Sequence, residues 1–497
     1  MRSQCAFLLA AIVAYAPAMA ESPDYSLTIY SSAQPGQIDI ERLANYGPSL
    51  PGYALVRDGR KMKLEAGNGE LRFTDVARRI DPTTVAFESL TDPDGTRVVE
   101  QNYQYDLVNR EKLLERYVGE RISVEQQRGS ELARIEGTLL SAAGGSLILQ
   151  RDSGEVASIS EYSNVLFSSL PGGLITRPTL VWLVNAKRAG THATRVSYQT
   201  RGMTWWTDYN ITLRESGDSC AMDLSSWVTI VNQSGASYPG AQLKLVAGEV
   251  NRAPAAPQPA MMMKSLGAAR LEEADQGFTE SSLFEYHLYT LGRRSDLPDN
   301  STKQLELLPT AVDIKCSKQL VFTASPQPWR HWSQPISDQG YGATTEGTVG
   351  AWLEFSNTET NQLGAPLPAG RMRVNQASAD GSLEFIGEDV IKHTPRNEDV
   401  RIKLGNAFDV VGERRQTAFN IDTAGKVIDE TFEISVRNRK KETARVVVRE
   451  YLYRWSSWKI ATNSHKYEKG DAQTIDFPLE IPPDGEARVI YTVRYSW

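Results

Sequence analysis

Few of the chain's reactive side chains stand at spacings that chemistry needs. Gly217-Asp218-Ser219-Cys220-Ala221 has Ala221 where a G-x-S-x-G nucleophile elbow has its second glycine. That elbow also needs a strand-to-helix turn above an α/β sheet. The flanking residues here read as β, so Asp218-Ser219 is expected to be a turn between strands. The carboxylates Asp208, Glu285 and Glu354 lie on or beside predicted strands, as the paired acids of a glycosidase do. The sequence sets no distance between any two of them. The histidines (His192, His287, His331, His393, His465) are scattered, with no H-x-x-x-H or C-x-x-C spacing. No metal or other cofactor is expected, and no catalytic residue is assigned.

Aromatic side chains cluster more clearly. Trp205, Trp206 and Tyr209 form one group; Trp329, His331 and Trp332 a second; Tyr451, Tyr453, Trp455 and Trp458 a third. Flat aromatic faces stack on sugar rings and anchor protein interfaces, and they also fill β-sandwich cores. In the third group the spacing of Tyr451, Tyr453 and Trp455 marks one face of a strand, which favours a core or sheet face. The second sits among Pro326, Pro328 and Pro335, in a loop where apolar rings are hard to bury. A binding surface is expected there first, with the first group as a further candidate. Arg437-Asn438-Arg439-Lys440-Lys441 reads as a solvated hairpin turn, or as a contact for an anionic polymer or headgroup.

Charge and the N-terminus set the compartment that positions these groups. Lys and Arg number 54 against 61 Asp and Glu, a net charge of −7, which argues against a nucleic-acid partner. Arg2, the apolar run Ala6–Ala14 and Ala18-Met19-Ala20 describe a secretory signal peptide over residues 1–20. Export follows, to the periplasm or surface of a Gram-negative cell, with no transmembrane helix left after cleavage. Cleavage removes Cys5, and an oxidising compartment then favours a disulfide between Cys220 and Cys316.

The elements read as mainly β. Short alternating runs with Gly, Pro and Asn between them suggest an N-terminal β module over 21–105. Asn109 can cap a helix whose stripe is Leu113, Leu114 and Tyr117, and Gly119 stops it. Five short strands follow, the pattern of a small SH3- or Sm-like barrel over 106–170 with one leading helix. Two sandwich-like, Ig-like units are expected over 175–325 and 326–497, the first carrying a flexible Ala/Pro/Met insertion at 254–279. No exact short repeat of 20–50 residues recurs, so a solenoid or propeller is not expected. Val489, Tyr491, Val493, Tyr495 and Trp497 alternate like the closing strand of an outer-membrane barrel. Too few other strands are long enough for a barrel, and a sandwich strand alternates in the same way.

Trp205-Trp206-Thr207-Asp208-Tyr209-Asn210, Trp227–Gly235, Leu243–Arg252 and the ending Tyr491–Trp497 resemble the bacterial mucoidy-inhibitor A-like family, over about residues 175–497. The family's shared C-terminal domain has no known function. Many relatives carry a coiled coil between their halves, where this chain has the small barrel. The resemblance implies an envelope location, β architecture and a link to exopolysaccharide, and it supplies no catalytic residues. The expectation is an exported envelope protein that binds protein partners or polysaccharide without catalysis. The alternatives are a periplasmic carbohydrate-active hydrolase and an outer-membrane-associated structural subunit.

Overall fold

A computed structural model describes residues 23–31, 33, 36–105, 108–128, 131–169, 174–216, 219–248, 250–251, 278–327, 334–378 and 380–497. The expected signal peptide lies outside these residues, as does the expected insertion apart from Phe278 and Thr279. The described chain is mainly β, in several sheets with no closed barrel.

The N-terminal strands are β1 (Asp24–Tyr30), β2 (Tyr53–Leu64), β3 (Gly67–Thr74), β4 (Ile80–Ser89) and β5 (Thr96–Gln104), with a one-turn helix α1 (Leu43–Tyr46) between β1 and β2. Helix α2 (Arg110–Arg116) leads β6 (Arg121–Arg128), β7 (Glu131–Ser141), β8 (Leu147–Gln150), β9 (Val156–Ile159) and β10 (Asn164–Phe167). Asn109 caps α2 as expected, its side-chain oxygen accepting from the Lys112 N–H at 2.8 Å. Leu114 and Tyr117 pack with Ile122, Val124, Leu139 and Leu149 into a core of their own. The five strands run in the order β10-β6-β7-β8-β9 and stay an open sheet, since β9 and β10 do not pair.

The next strands are β11 (Thr179–Ala186), β12 (Gly190–Arg201), β13 (Met203–Ser216), β14 (Ser219–Asn232) and β15 (Tyr238–Ala247). Then come β16 (Phe278–Leu283), β17 (Tyr286–Leu291), β18 (Ser295–Leu297), β19 (Ser301–Lys315) and β20 (Ser317–Thr323). The chain continues with β21 (Thr344–Ser356), β22 (Gly370–Ala377), β23 (Leu383–Ile391), β24 (Asp399–Asp422) and β25 (Val427–Asn438). It ends with β26 (Ala444–Tyr451), β27 (Trp458–Asn463), β28 (Glu468–Lys469), β29 (Thr474–Ile481) and β30 (Glu486–Ser496).

The pairing does not divide the chain at 105. β1 lies parallel to β15, β2 pairs β12, and β11 sits between β3 and β5. Leu27, Ile29 and Val56 therefore share one core with Trp182, Leu243 and Leu305. The short N-terminal strands alone have too little apolar surface for an independent core, and the later strands supply it.

One arrangement recurs three times. Strand order is β17-β15-β1-β2-β12 in the first sheet, β23-β22-β13-β14-β19 in the second and β29-β26-β20-β21-β24 in the third. In each, the second and third strands named are parallel and the other neighbours antiparallel. A long antiparallel strand pair faces each sheet: β14–β19, β21–β24 and β25–β30. The first two pairs continue into the sheet of the following unit. Val228 and Leu305 lie in the first core, whereas Leu224 and Ile314, further along the same strands, lie in the second. A 14-residue strand such as β14 reaches about 46 Å, enough to serve two cores.

A buried asparagine closes each unit. Asn232 donates to the carbonyls of Ala236, Leu297 and Pro298, and Asn438 to those of Glu442, Ile481 and Pro482. Asn357 donates to Ala365 and Pro395. Two residues after each of these prolines, Asn300, Asn397 and Asp484 hold positive φ, turning the chain into the next strand. β30 lies between β25 and β27, with Val489, Tyr491, Val493 and Tyr495 buried in the third core.

Candidate functional site

The outer face of the central sheet carries the most open group of chemically versatile side chains. Along β13 the residues alternate: Tyr209, Ile211 and Leu213 point into the second core, so Asp208, Asn210 and Thr212 point outward. Register then sets Trp227, Asp208, Arg371 and Val390 side by side across β14, β13, β22 and β23. The next row is Ser225, Asn210, Arg373 and Glu388. Trp227 is 39% exposed.

Asp208 joins this face to the interior. One carboxylate oxygen accepts the Trp206 indole N–H at 2.9 Å; the other faces Arg371 at 3.3 Å and Arg373 at 3.7 Å. Arg373 reaches on to Glu388 at 3.4 Å. Lower on the face Arg214 bridges Asp223 and Asp313, and that contact holds the Asp223 carboxyl below its ordinary range. With both oxygens of Asp208 occupied by donors, the face presents planar hydrogen-bonding groups and the exposed Glu306 carboxylate around an aromatic ring. It can stack a ring and bond hydroxyls.

The first expected aromatic group is interior, a correction to its reading as a binding surface. Trp205 is buried in the first core and donates to the Ile29 carbonyl at 3.1 Å. Trp206 lies under Ile38 and Leu50 of the segment around α1. Tyr209 is fully buried and donates to the Pro368 carbonyl at 2.8 Å. β13 is covered on its inner side by the β21–β24 pair and at its start by the N-terminal segment, so rings of either parity find apolar cover.

Trp329, His331 and Trp332 lie outside the described residues. The chain that follows them is firmly held: buried Arg454 donates to the carbonyls of Ile336, Asp338 and Tyr341, and buried Arg414 to that of Gly342. In the third aromatic group Tyr453 is buried, and Trp455 and Trp458 pack on the third core. Within 437–441, Asn438 is buried and Arg437 lies 3.7 Å from Glu413.

The three proposed acids are not brought together. Asp208 lies on the outer face, and Glu354 on the opposite side of the same unit, 2.8 Å from Arg401 in a cleft of about 580 Å³ beside Cys316. Glu285 is exposed in the turn between β16 and β17. Ser216 and Ser219 are the paired ends of β13 and β14, so the serine joins strand to strand and not strand to helix. Residues 217 and 218 themselves lie outside the described residues. Cys220 and Cys316 form the expected disulfide, 5.1 Å apart at Cα.

Trp227, Arg371 and Arg373 went unnoticed in the sequence. Trp227 sits in an apolar run that reads as core, whereas Arg371-Met372-Arg373-Val374 alternates and marks an outward basic row. A comparison with protein-family profiles finds no match for the chain, and no curated protein matches it. No helix among the described residues is long and apolar enough to cross a membrane, which says nothing of strands.

Proposed function

We propose that the chain is an exported envelope protein that binds polysaccharide on the outer face of its central sheet and does no chemistry on it. The observation that carries this reading is the exposed ring of Trp227, set between Asp208 and Glu306 in the register, with Arg371 one strand beyond Asp208 and Asn210 and Arg373 in the next row. The leader-like N-terminus, the disulfide and the resemblance to the mucoidy-inhibitor A-like family support the compartment and the class of ligand. Every acid singled out for hydrolysis is ion-paired or isolated, which favours binding over a glycosidase.

The test is affinity electrophoresis of mature protein through gels containing exopolysaccharide purified from the host, with reducing ends assayed in parallel. Retention should fall about tenfold in Trp227→Ala and in Arg371→Ala/Arg373→Ala, the loss of one stacking or ionic anchor. Retention unchanged in both variants removes the face from the proposal. New reducing ends above a heat-killed control overturn the non-catalytic reading.

A further inference from the structure

The three units differ at one seam. Each seam lies between the first-named sheet strand and the second strand of the facing pair: β23 approaches β24 and β29 approaches β30 directly, whereas β16 stands between β17 and β19. The chain closes the first seam with β16, which pairs with β17 and packs on β19. It closes the third with β27 on β30 and β28 on β29. In the second unit β23 pairs with β22 alone; β24 lies against its other edge from Gly387 on, and no strand among the described residues covers that edge at residues 383–386.

β23 and β24 approach from the middle of β23 onward. There the Lys403 N–H donates to Asp389 at 2.7 Å, and the Leu404 carbonyl lies against Gly387 so closely that a Cβ would collide with it. These contacts run antiparallel, so Leu383 comes level with Phe408 at the other end. An apolar slot of about 200 Å³ opens on that side, lined by Leu213, Leu353, Ile386 and Leu404. Beside it Leu383, Phe385 and Phe408 are 58%, 61% and 94% exposed. Gly405 and Asn406 pair with β21 and with no second strand.

We propose that an extended segment of another polypeptide closes this second seam, as β16 closes the first. It would add to the free edge of β23, with alternate side chains entering the slot and lying beside Leu383 and Phe385. Main-chain hydrogen bonds supply affinity in this mode and the slot supplies selectivity. Of the acids on β23, Glu388 pairs with Arg373 and Asp389 accepts the Lys403 N–H, which leaves Glu384 on the open stretch, so the segment should alternate apolar residues and carry a Lys or Arg level with Glu384. The same charges disfavour a second copy of this chain, because antiparallel self-pairing about Ile386 sets Glu384 opposite Glu388. The inference stands on the strand arrangement and is independent of glycan binding.

The probe is a displayed library of random linear peptides of about twelve residues, selected on wild-type protein and counter-selected on Phe385→Glu/Phe408→Glu. Both substituted side chains are mostly solvent-exposed, and near-ultraviolet circular dichroism checks that the variant keeps its fold. Enriched peptides should alternate apolar residues, bind the variant about tenfold or more weakly, and slow amide exchange in residues 382–386 and 404–409. No variant-sensitive enrichment, or protection elsewhere, overturns the proposal. So does a wild-type dimer by light scattering that Phe385→Glu/Phe408→Glu makes monomeric, since the seam is then a self-interface.

Discussion

Two Arg–Glu pairs are sealed inside the third unit. Arg414 lies 2.8 Å from Glu450, and Arg454 lies 2.7 Å from Glu430, with all four side chains inaccessible to solvent. Burial disfavours each guanidinium, and the facing carboxylate outweighs it, so both arginines are held above their ordinary range. The pairs cross the interior from β24 and β25 to β26 and the chain just after it. The set is incompletely bonded: Arg414 Nη2, Glu450 Oε1 and the Tyr495 hydroxyl have no partner. Removing one charge should therefore be far worse than removing both. Glu450→Gln is expected to cost about 3–5 kcal/mol, and Arg414→Met/Glu450→Leu close to nothing, by urea midpoint. Surface acids give a second test. Asp429 accepts from Nε and Nη2 of Arg494, each at 2.7 Å, and that hydrogen bonding holds its carboxyl below the ordinary range. A carboxyl whose folded value is depressed stabilises fully above its unfolded value and loses that contribution as pH falls through the folded one. Melting temperature should drop below about pH 4, and Asp429→Asn should flatten that acid limb. A limb of unchanged steepness would assign the loss to other groups.

At the scale of elements, regular alternation was legible and its exceptions were not. The helix cap at Asn109 follows from local preference, and the disulfide from the count of cysteines left after export. The chain-entropy estimate for the 96-residue separation of Cys220 and Cys316 is about 4–5 kcal/mol. β25 shows the limit: every second residue from Ile428 to Asn438 is buried, and that inward row includes Glu430 and Asn438. A reading that sends polar residues outward misplaces both, because their partners come from β24, the chain after β26, the turn before β26 and the end of β29. The threefold unit escaped for a related reason. Its sequence signature is a strand-ending asparagine and a distant proline followed two residues later by Asn or Asp, and loops of unequal length separate the copies. These asparagines are expected to be structural locks. Asn438→Ala and Asn232→Ala remove the contacts to three carbonyls each, together with the bonds their side-chain oxygens accept from Lys440 and Ser234, at about 2–3 kcal/mol by urea denaturation. Asn438→Asp should not rescue, because a carboxylate cannot donate to three carbonyls. A cost below half a kcal/mol for both alanine variants would mean water replaces the side chain without penalty.

At the scale of the whole molecule, shared strand pairs decide what can fold alone. A cut at residue 325 severs the second sheet, leaving β13, β14 and β19 without β22 and β23. A cut between 105 and 175 strips β1 and β2 from β15 and β12. The piece that stands apart is 108–169, which has its own core and hangs from one point: the Val108 N–H donates to the Ile175 carbonyl at 3.0 Å, so chain entry and exit are adjacent. Closing a loop of this kind depends only weakly on its length, so a short linker can replace the excursion. Two outcomes follow from the same pairing. Replacing residues 109–174 by a short Gly-Ser linker should leave the remaining strands folded, with one cooperative urea transition and unchanged near-ultraviolet dichroism. The isolated fragment 175–325 should show neither cooperative unfolding nor slowed amide exchange, since its strands lack the β1–β2 pair on one side and β22–β23 on the other. If that fragment folds cooperatively, the shared strand pairs are dispensable and the units are separate domains. If the linker variant fails instead, the small open sheet must brace the rest through contacts beyond its attachment point.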